Sequence, residues 1–204
     1  MVQPLVADGA APRGDHRAYD NVVLIHGATW ADYQRLLELR GESAVPRITF
    51  LEGLVEIMSP SRVHESKKSM IGRLVEAWCF ARGVEITPYG SWTLESKRSE
   101  RGAEPDECYV VGDDDDPERP HLAIEVVHTS GGINRLEVYR KLGVREIWFW
   151  RKGRFELHAL RGEHYEAIAE SEVLRGIDLT ELAGFVDMKP MTRAVRAYRK
   201  ALGG

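Results

Sequence analysis

The sequence predicts an α/β fold of α+β character, and three observations predict it. Two pairs of strand-like runs are each joined by a tight polar turn, Arg47–Leu51 with Leu54–Met58 and Phe155–Leu160 with Tyr165–Ile168. One long stretch from His64 to Arg82 repeats its apolar residues at helical steps. A strand–helix–strand succession runs through His121–Val127, Asn134–Leu142 and Glu146–Trp150, the pattern of a crossover between parallel strands.

Bulk properties set the class. The chain has 204 residues, enough for one domain with a sizeable core, and 43% hydrophobic with 29% charged residues is ordinary for a globular protein. A net charge of −4 argues against a basic coat protein that binds nucleic acid everywhere, but leaves room for an enzyme with one local basic groove. Cys79 and Cys108 form no Cys-x-x-Cys pair and read as two buried thiols, not a zinc site. Nothing reads as a secretory signal and no apolar run is long enough to span a membrane, so a cytoplasmic location is expected and no membrane partner.

Residues 1–20, rich in Gly, Ala, Pro and charge, are expected to form a flexible leader, and residues 21–204 a single domain. Thr29 should cap a short helix, with Asp32 at the capping-box position and Leu36, Leu37 and Leu39 offered to a core. Glu52-Gly53 is the hairpin turn between the first two strands. Ser59-Pro60-Ser61 supplies helix caps, and Met70, Ile71, Leu74, Val75, Trp78 and Cys79 form the buried stripe of the long helix that Gly83 ends. Short strands are expected at Val84–Ile86 and Trp92–Leu94, a polar exposed loop over Glu95–Glu104, and a strand at Glu107–Val111. Asp113–Asp116 reads as a solvated turn, since the spacing of a calcium loop is missing. His128–Gly132 should be a loop, Gly143 a helix end, Lys152-Gly153 a turn, and Met191–Leu202 a final amphipathic helix after Pro190. Trp148 and Trp150 alternate with Ile147 and Phe149, which leaves one face of that strand for the core or for a dimer contact.

The residue that carries most chemistry is Glu125. It interrupts the apolar, β-branched run His121-Leu-Ala-Ile-Glu-Val-Val127, where a carboxylate loses its hydration unless a cation, a proton or donors compensate. Asp106 follows Pro105 just before another strand, and two acids on neighbouring strands are one way to hold a hard divalent metal. Glu52 at the hairpin tip and His64 at a helix start are further candidates. Arg135 and Tyr139 share a face of the helix that follows the Glu125 strand, so Arg135 is placed to reach the carboxylates. Each residue also has a structural explanation. Glu125 and Arg135 can be an ion pair, Asp106 a loop cap, His64 a first-turn helix residue and Glu52 a surface turn acid.

The order of motifs resembles the Uma2 family, restriction endonucleases of the PD-(D/E)XK superfamily. The matching stretches are Phe50-Leu-Glu-Gly-Leu-Val-Glu-Ile-Met-Ser-Pro60, His64-Glu65, Glu104-Pro-Asp106, His121–Val127, and Arg135-Leu-Glu-Val-Tyr139 running into Gly143-Val-Arg-Glu-Ile-Trp148. The resemblance implies a restriction-endonuclease-like mixed central β-sheet flanked by helices. It implies Mg²⁺ or Mn²⁺ held by Asp106 and Glu125 with Glu52, and DNA as substrate. The superfamily's motif lysine, two residues after Glu125, is Val127 here. Family members place a lysine on the next helix, and Arg135 stands at that position. Arginine keeps the charge but stays protonated, and Lys141 is a poorly oriented substitute. The expected activity is metal-dependent hydrolysis of DNA phosphodiester bonds, with Arg135 on the phosphate and His64 positioning water or phosphate. The alternative is a nuclease-fold protein impaired in cleavage that binds nucleic acid or a protein partner, and a homodimer is compatible with either.

Overall fold

A computed structural model describes residues 19–127 and 132–203. The expected leader and the expected His128–Gly132 loop therefore fall outside the described residues, apart from Tyr19, Asp20 and Gly132. In chain order the elements are β1 (Asn21–His26), α1 (Trp30–Arg40), β2 (Arg47–Leu51), β3 (Leu54–Ser59), α2 (Arg62–Arg82), β4 (Ile86–Pro88), β5 (Leu94–Ser96) and, after a single 3₁₀ turn, β6 (Arg101–Ala103). They continue as β7 (Glu107–Val111), β8 (Leu122–Val127), α3 (Arg135–Leu142), β9 (Glu146–Arg151), β10 (Arg154–Arg161), β11 (His164–Ile168), α4 (Leu179–Val186) and α5 (Met191–Ala201).

The strands make two sheets, not one. A six-stranded mixed sheet runs β11-β10-β9-β8-β7-β4, with β8 and β9 parallel and its other neighbours antiparallel. This is the expected central sheet, and α3 is its crossover. A second, antiparallel sheet of five strands, β1-β3-β2-β6-β5, was not foreseen. Alternation along β8 sorts its side chains. Leu122, Ile124 and Val126 join Trp148, Trp150 and Leu157 under the α2 stripe and α4/α5, while Ala123 packs with Ile147 and Phe149 on the side of α3. On that side Val138, Tyr139 and Leu142 of α3 are buried between the central sheet and Leu94 and Ala103 of the second sheet. Helix α1 closes the second sheet through Tyr33, which packs on Phe50 and Trp30.

Several local expectations hold for stated reasons. Thr29 and Asp32 form a reciprocal capping box on α1, Ser61 caps α2 through the His64 amide, and Gly83 and Gly143 end their helices in the left-handed conformation. Glu52 (φ 42°) and Gly53 (φ 88°) form the two-residue turn of positive φ that lets two twisted strands pair.

Others are corrected. Leu39 lies about 200° around the helix from Leu37 and is exposed, whereas Tyr33 is the buried anchor of α1. Glu95–Glu104 is not an exposed loop: it holds β6 and the ends of β5, and Arg101, Ala103 and Glu104 are buried. The strands expected at Val84–Ile86 and Trp92–Leu94 sit two residues later, at β4 and β5. Strand β1 and helix α4 were not anticipated. Trp148 and Trp150 offer no partner surface, because both faces of β9 are buried, Ile147 and Phe149 included.

Candidate functional site

Asp106 is wholly buried where the chain enters β7 behind Pro105. Its Oδ2 accepts the Val126 amide of β8 at 2.6 Å. Its Oδ1 faces His64 Nε2 at 2.8 Å and accepts a hydrogen bond from the Arg47 guanidinium of β2. Ser61 sets the start of α2 so that His64, in its first turn, points inward. The other ring nitrogen, Nδ1, meets Asp20 at 2.9 Å, and Arg47 reaches on to Glu65 at 3.1 Å. Burial raises the Asp20 carboxyl, but its bonds to His64 and the Ser61 amide outweigh burial and leave its pKa below the ordinary 3.8.

Glu125 stands on the α3 side of β8 and is 5% exposed. Its Oε1 accepts the Tyr139 hydroxyl at 2.5 Å; among the described residues no donor reaches its second oxygen. Burial first, then the charge of Glu125, pushes the Tyr139 phenol well above its usual pKa, so it remains a donor. Arg135, one turn earlier on α3, donates to Glu56 Oε1 at 2.5 Å and to the Thr49 hydroxyl. Thr49 and Glu56 are directly opposed across β2 and β3, so the second sheet presents both to one guanidinium. The other oxygen of Glu56 accepts the Ile133 amide at 3.0 Å. Burial pulls Arg135 down, yet Glu125 and then Glu56 outweigh it and leave the guanidinium pKa raised.

These groups line or back a cavity of about 680 Å³ at the carboxyl end of β8. Glu56, His64, Glu125 and Arg135 face it, with Arg151 and Lys152 at its edge. Asp106 lies behind the wall, bonded to its His64 and Val126. Glu52 is not brought in: its side chain is 68% exposed and binds Arg101 at 2.6 Å. Glu56 occupies the cavity instead, and it was legible, because it interrupts Leu54-Val-Glu-Ile-Met58 just as Glu125 interrupts its own run. Asp20, Arg47 and Thr49 carried no such signal. His158 of β10 also lines the cavity, and burial holds its imidazole below the ordinary pKa.

The donor set suits a hard divalent cation in kind, since Glu56, Asp106 and Glu125 offer carboxylate oxygens and no thiolate. It is not a closed cage: among the described residues no group of three or more His, Cys, Asp or Glu side chains is gathered tightly enough to hold a metal. Arg47 and Arg135 supply the positive charge that the buried acids require.

A model of the Uma2 family, described as a putative restriction endonuclease, matches residues 30–189. The chain belongs to the Uma2 family. A crystal structure from Anabaena variabilis ATCC 29413, described as a putative nuclease belonging to DUF820, shares the fold with a TM-score of 0.50 and 11% identity, over 84% of this chain and 99% of that one. No curated protein matches the chain in sequence. The Uma2 match runs from α1 to the residue before Pro190, and so contains Asp106, Glu125, Arg135, Glu56 and His64 but not Asp20. Among the described residues no helix is long and apolar enough to cross a membrane.

Proposed function

We propose that this Uma2 chain is an endonuclease that hydrolyses DNA phosphodiester bonds with Mg²⁺ or Mn²⁺. The observation that carries the reading is the under-saturated carboxylate of Glu125, set on the strand next to Asp106 and facing Arg135 and Glu56 across one cleft. Glu125 and Glu56 are the wall carboxylates that would hold the metal, with Asp106 behind them. Bound there, it would supply Lewis-acid charge and a water of lowered pKa. Arg135 stays charged at every working pH and would bind a phosphate oxygen beside the carboxylates. His64 holds the Asp106 carboxylate in register by bonding Asp106 and Asp20 at once. Tyr139 fixes the rotamer of Glu125.

The reading is tested by Mn²⁺ calorimetry and plasmid cleavage on wild type and on a folded Asp106→Asn/Glu125→Gln double variant. Binding and cleavage in the wild type, lost together in the variant, support it; a well-folded wild type that takes no Mn²⁺ even with DNA present sinks it.

One observation favours a second reading, a nuclease-fold protein that binds nucleic acid with impaired cleavage. Two of the three site acids are engaged by arginine, Asp106 by Arg47 and Glu56 by Arg135. Arg135→Lys separates the two. A rise in cleavage of ten-fold or more marks the native site as impaired, whereas unchanged or lower cleavage keeps the first reading.

A further inference from the structure

The final helix carries a charge pattern that the cleft does not explain. From Lys189 to Leu202 the chain has Lys189, Arg193, Arg196, Arg199 and Lys200 and no acid, within a protein of net charge −4. All five are exposed, and among the described residues none has a carboxylate within ion-pair distance. Several other surface cations are paired, Arg140 and Lys141 by Glu163, Arg161 by Glu172 and Arg154 by Glu156. Arg193, Arg196 and Lys200 fall within a 60° arc of α5 and span about 10 Å, the axial rise of about three phosphates on one DNA strand. Arg199 flanks the row.

The ridge is also rigid and correctly placed. The opposite face of α5 is sealed, with Ala194 and Tyr198 wholly buried against α2 and α4. That burial removes the apolar face a membrane-surface helix would insert. Asp187, two residues before the start of the ridge, forms an ion pair with Lys67 of α2. Lys67 lies one turn beyond His64 on α2, so the row begins beside the cleft and continues along the helix that packs on α2.

We propose that the α5 ridge is a docking surface for the phosphate backbone of duplex DNA, which holds the substrate across the cleft without reading its sequence. This rests on the DNA reading above and adds the surface that binds the duplex. The chemistry is charge pairing of guanidinium and ammonium groups with phosphates, so binding must weaken with salt.

The experiment is fluorescence anisotropy of a generic labelled duplex in EDTA, across a salt series, with wild type, Glu125→Gln and the exposed-surface variant R193Q/R196Q/K200Q. Removing three phosphate contacts should flatten the log–log salt slope by roughly 2.7 and weaken binding roughly 10- to 100-fold at low salt. R193K/R196K, which keeps the charge, should bind as wild type does, and Glu125→Gln should bind at least as well. A triple variant with wild-type melting temperature and wild-type affinity overturns the ridge while leaving the cleft reading untouched. A wild type that binds no duplex in EDTA overturns the ridge, and the Mn²⁺ test above then decides the cleft reading separately. Wild-type binding that needs the ridge, together with no cleavage in Mn²⁺, supports the ridge and removes only the hydrolytic reading. Ridge-dependent binding to phosphatidylserine vesicles without binding to duplex would assign the surface to a membrane and overturn the proposal.

Discussion

Glu146 and Glu125 stand on adjacent parallel strands of one sheet, both nearly or wholly buried, and they differ in what meets their oxygens. Glu146 is saturated. Its Oε1 accepts the Trp148 indole at 2.5 Å, and its Oε2 accepts the Glu172 and Val173 amides at 2.8 and 3.1 Å. Glu104 is equally closed, by Arg40, the Ile48 amide and Thr93. Among the described residues Glu125 has one donor, Tyr139, and it lines the cavity. Burial of a carboxylate therefore does not mark a site by itself. The mark is a buried carboxylate whose hydrogen-bonding capacity the fold leaves unfilled beside open space.

This contrast can be broken most directly at its closed end. Glu146→Ala leaves one indole and two backbone donors unpaired in the interior, and should cost about 4 kcal/mol, lowering the melting temperature by roughly 10 °C. Glu125→Gln should stay within about 1 kcal/mol of wild type while cutting cleavage by roughly 100-fold or more. Thermal denaturation and a cleavage assay on both variants check the pair, and an equal loss of stability would erase the distinction.

A second, smaller effect is expected from packing between α1 and the second sheet. A methyl group on Gly102 would collide with the Tyr33 ring, so Gly102→Ala should destabilise by about 2 kcal/mol, read as a shift in the urea midpoint. Tyr139→Phe sharpens the comparison at the open end. It removes the one donor to Glu125 and should cost about 1.5 kcal/mol, with cleavage lowered through a less fixed carboxylate, measured as kcat falling more than KM rises. The smallest effect concerns acid. Asp20 has a folded pKa below 3.8, so its stabilisation is complete above that value and is lost as pH falls through the lower folded value. Asp20→Asn should flatten the acid limb of the stability profile below about pH 4, seen by denaturant titration at several pH values.

Much of this was readable beforehand, where local pattern decides the outcome. The β8–α3–β9 crossover, both hairpins and the α2 stripe follow from periodicity and turn residues. Strands of three residues such as β6 offer too few positions for a period to show, and Arg101 there is buried only because its guanidinium donates hydrogen bonds to Glu52 and the Ser99 carbonyl. At the site, Glu125 and Asp106 could be found because each acid sits in or before an apolar strand. Glu52 was favoured over Glu56 by its place in a motif, whereas the interrupted run around Glu56 held the better physical signal. Arg47 could not be found, since its partner Asp106 is 59 residues away and only the pairing of sheets brings them together.

The His64 ring joins Asp20 to Asp106, spans of 44 and 42 residues along the chain. Arg135 then ties α3 back to Thr49 and Glu56. The cleft is thus completed late on the ribosome. A nascent chain that has emerged only through β7 carries Asp106, His64 and Arg47 but neither Glu125 nor Arg135, so the cavity has no β8 or α3 wall until those elements are synthesised.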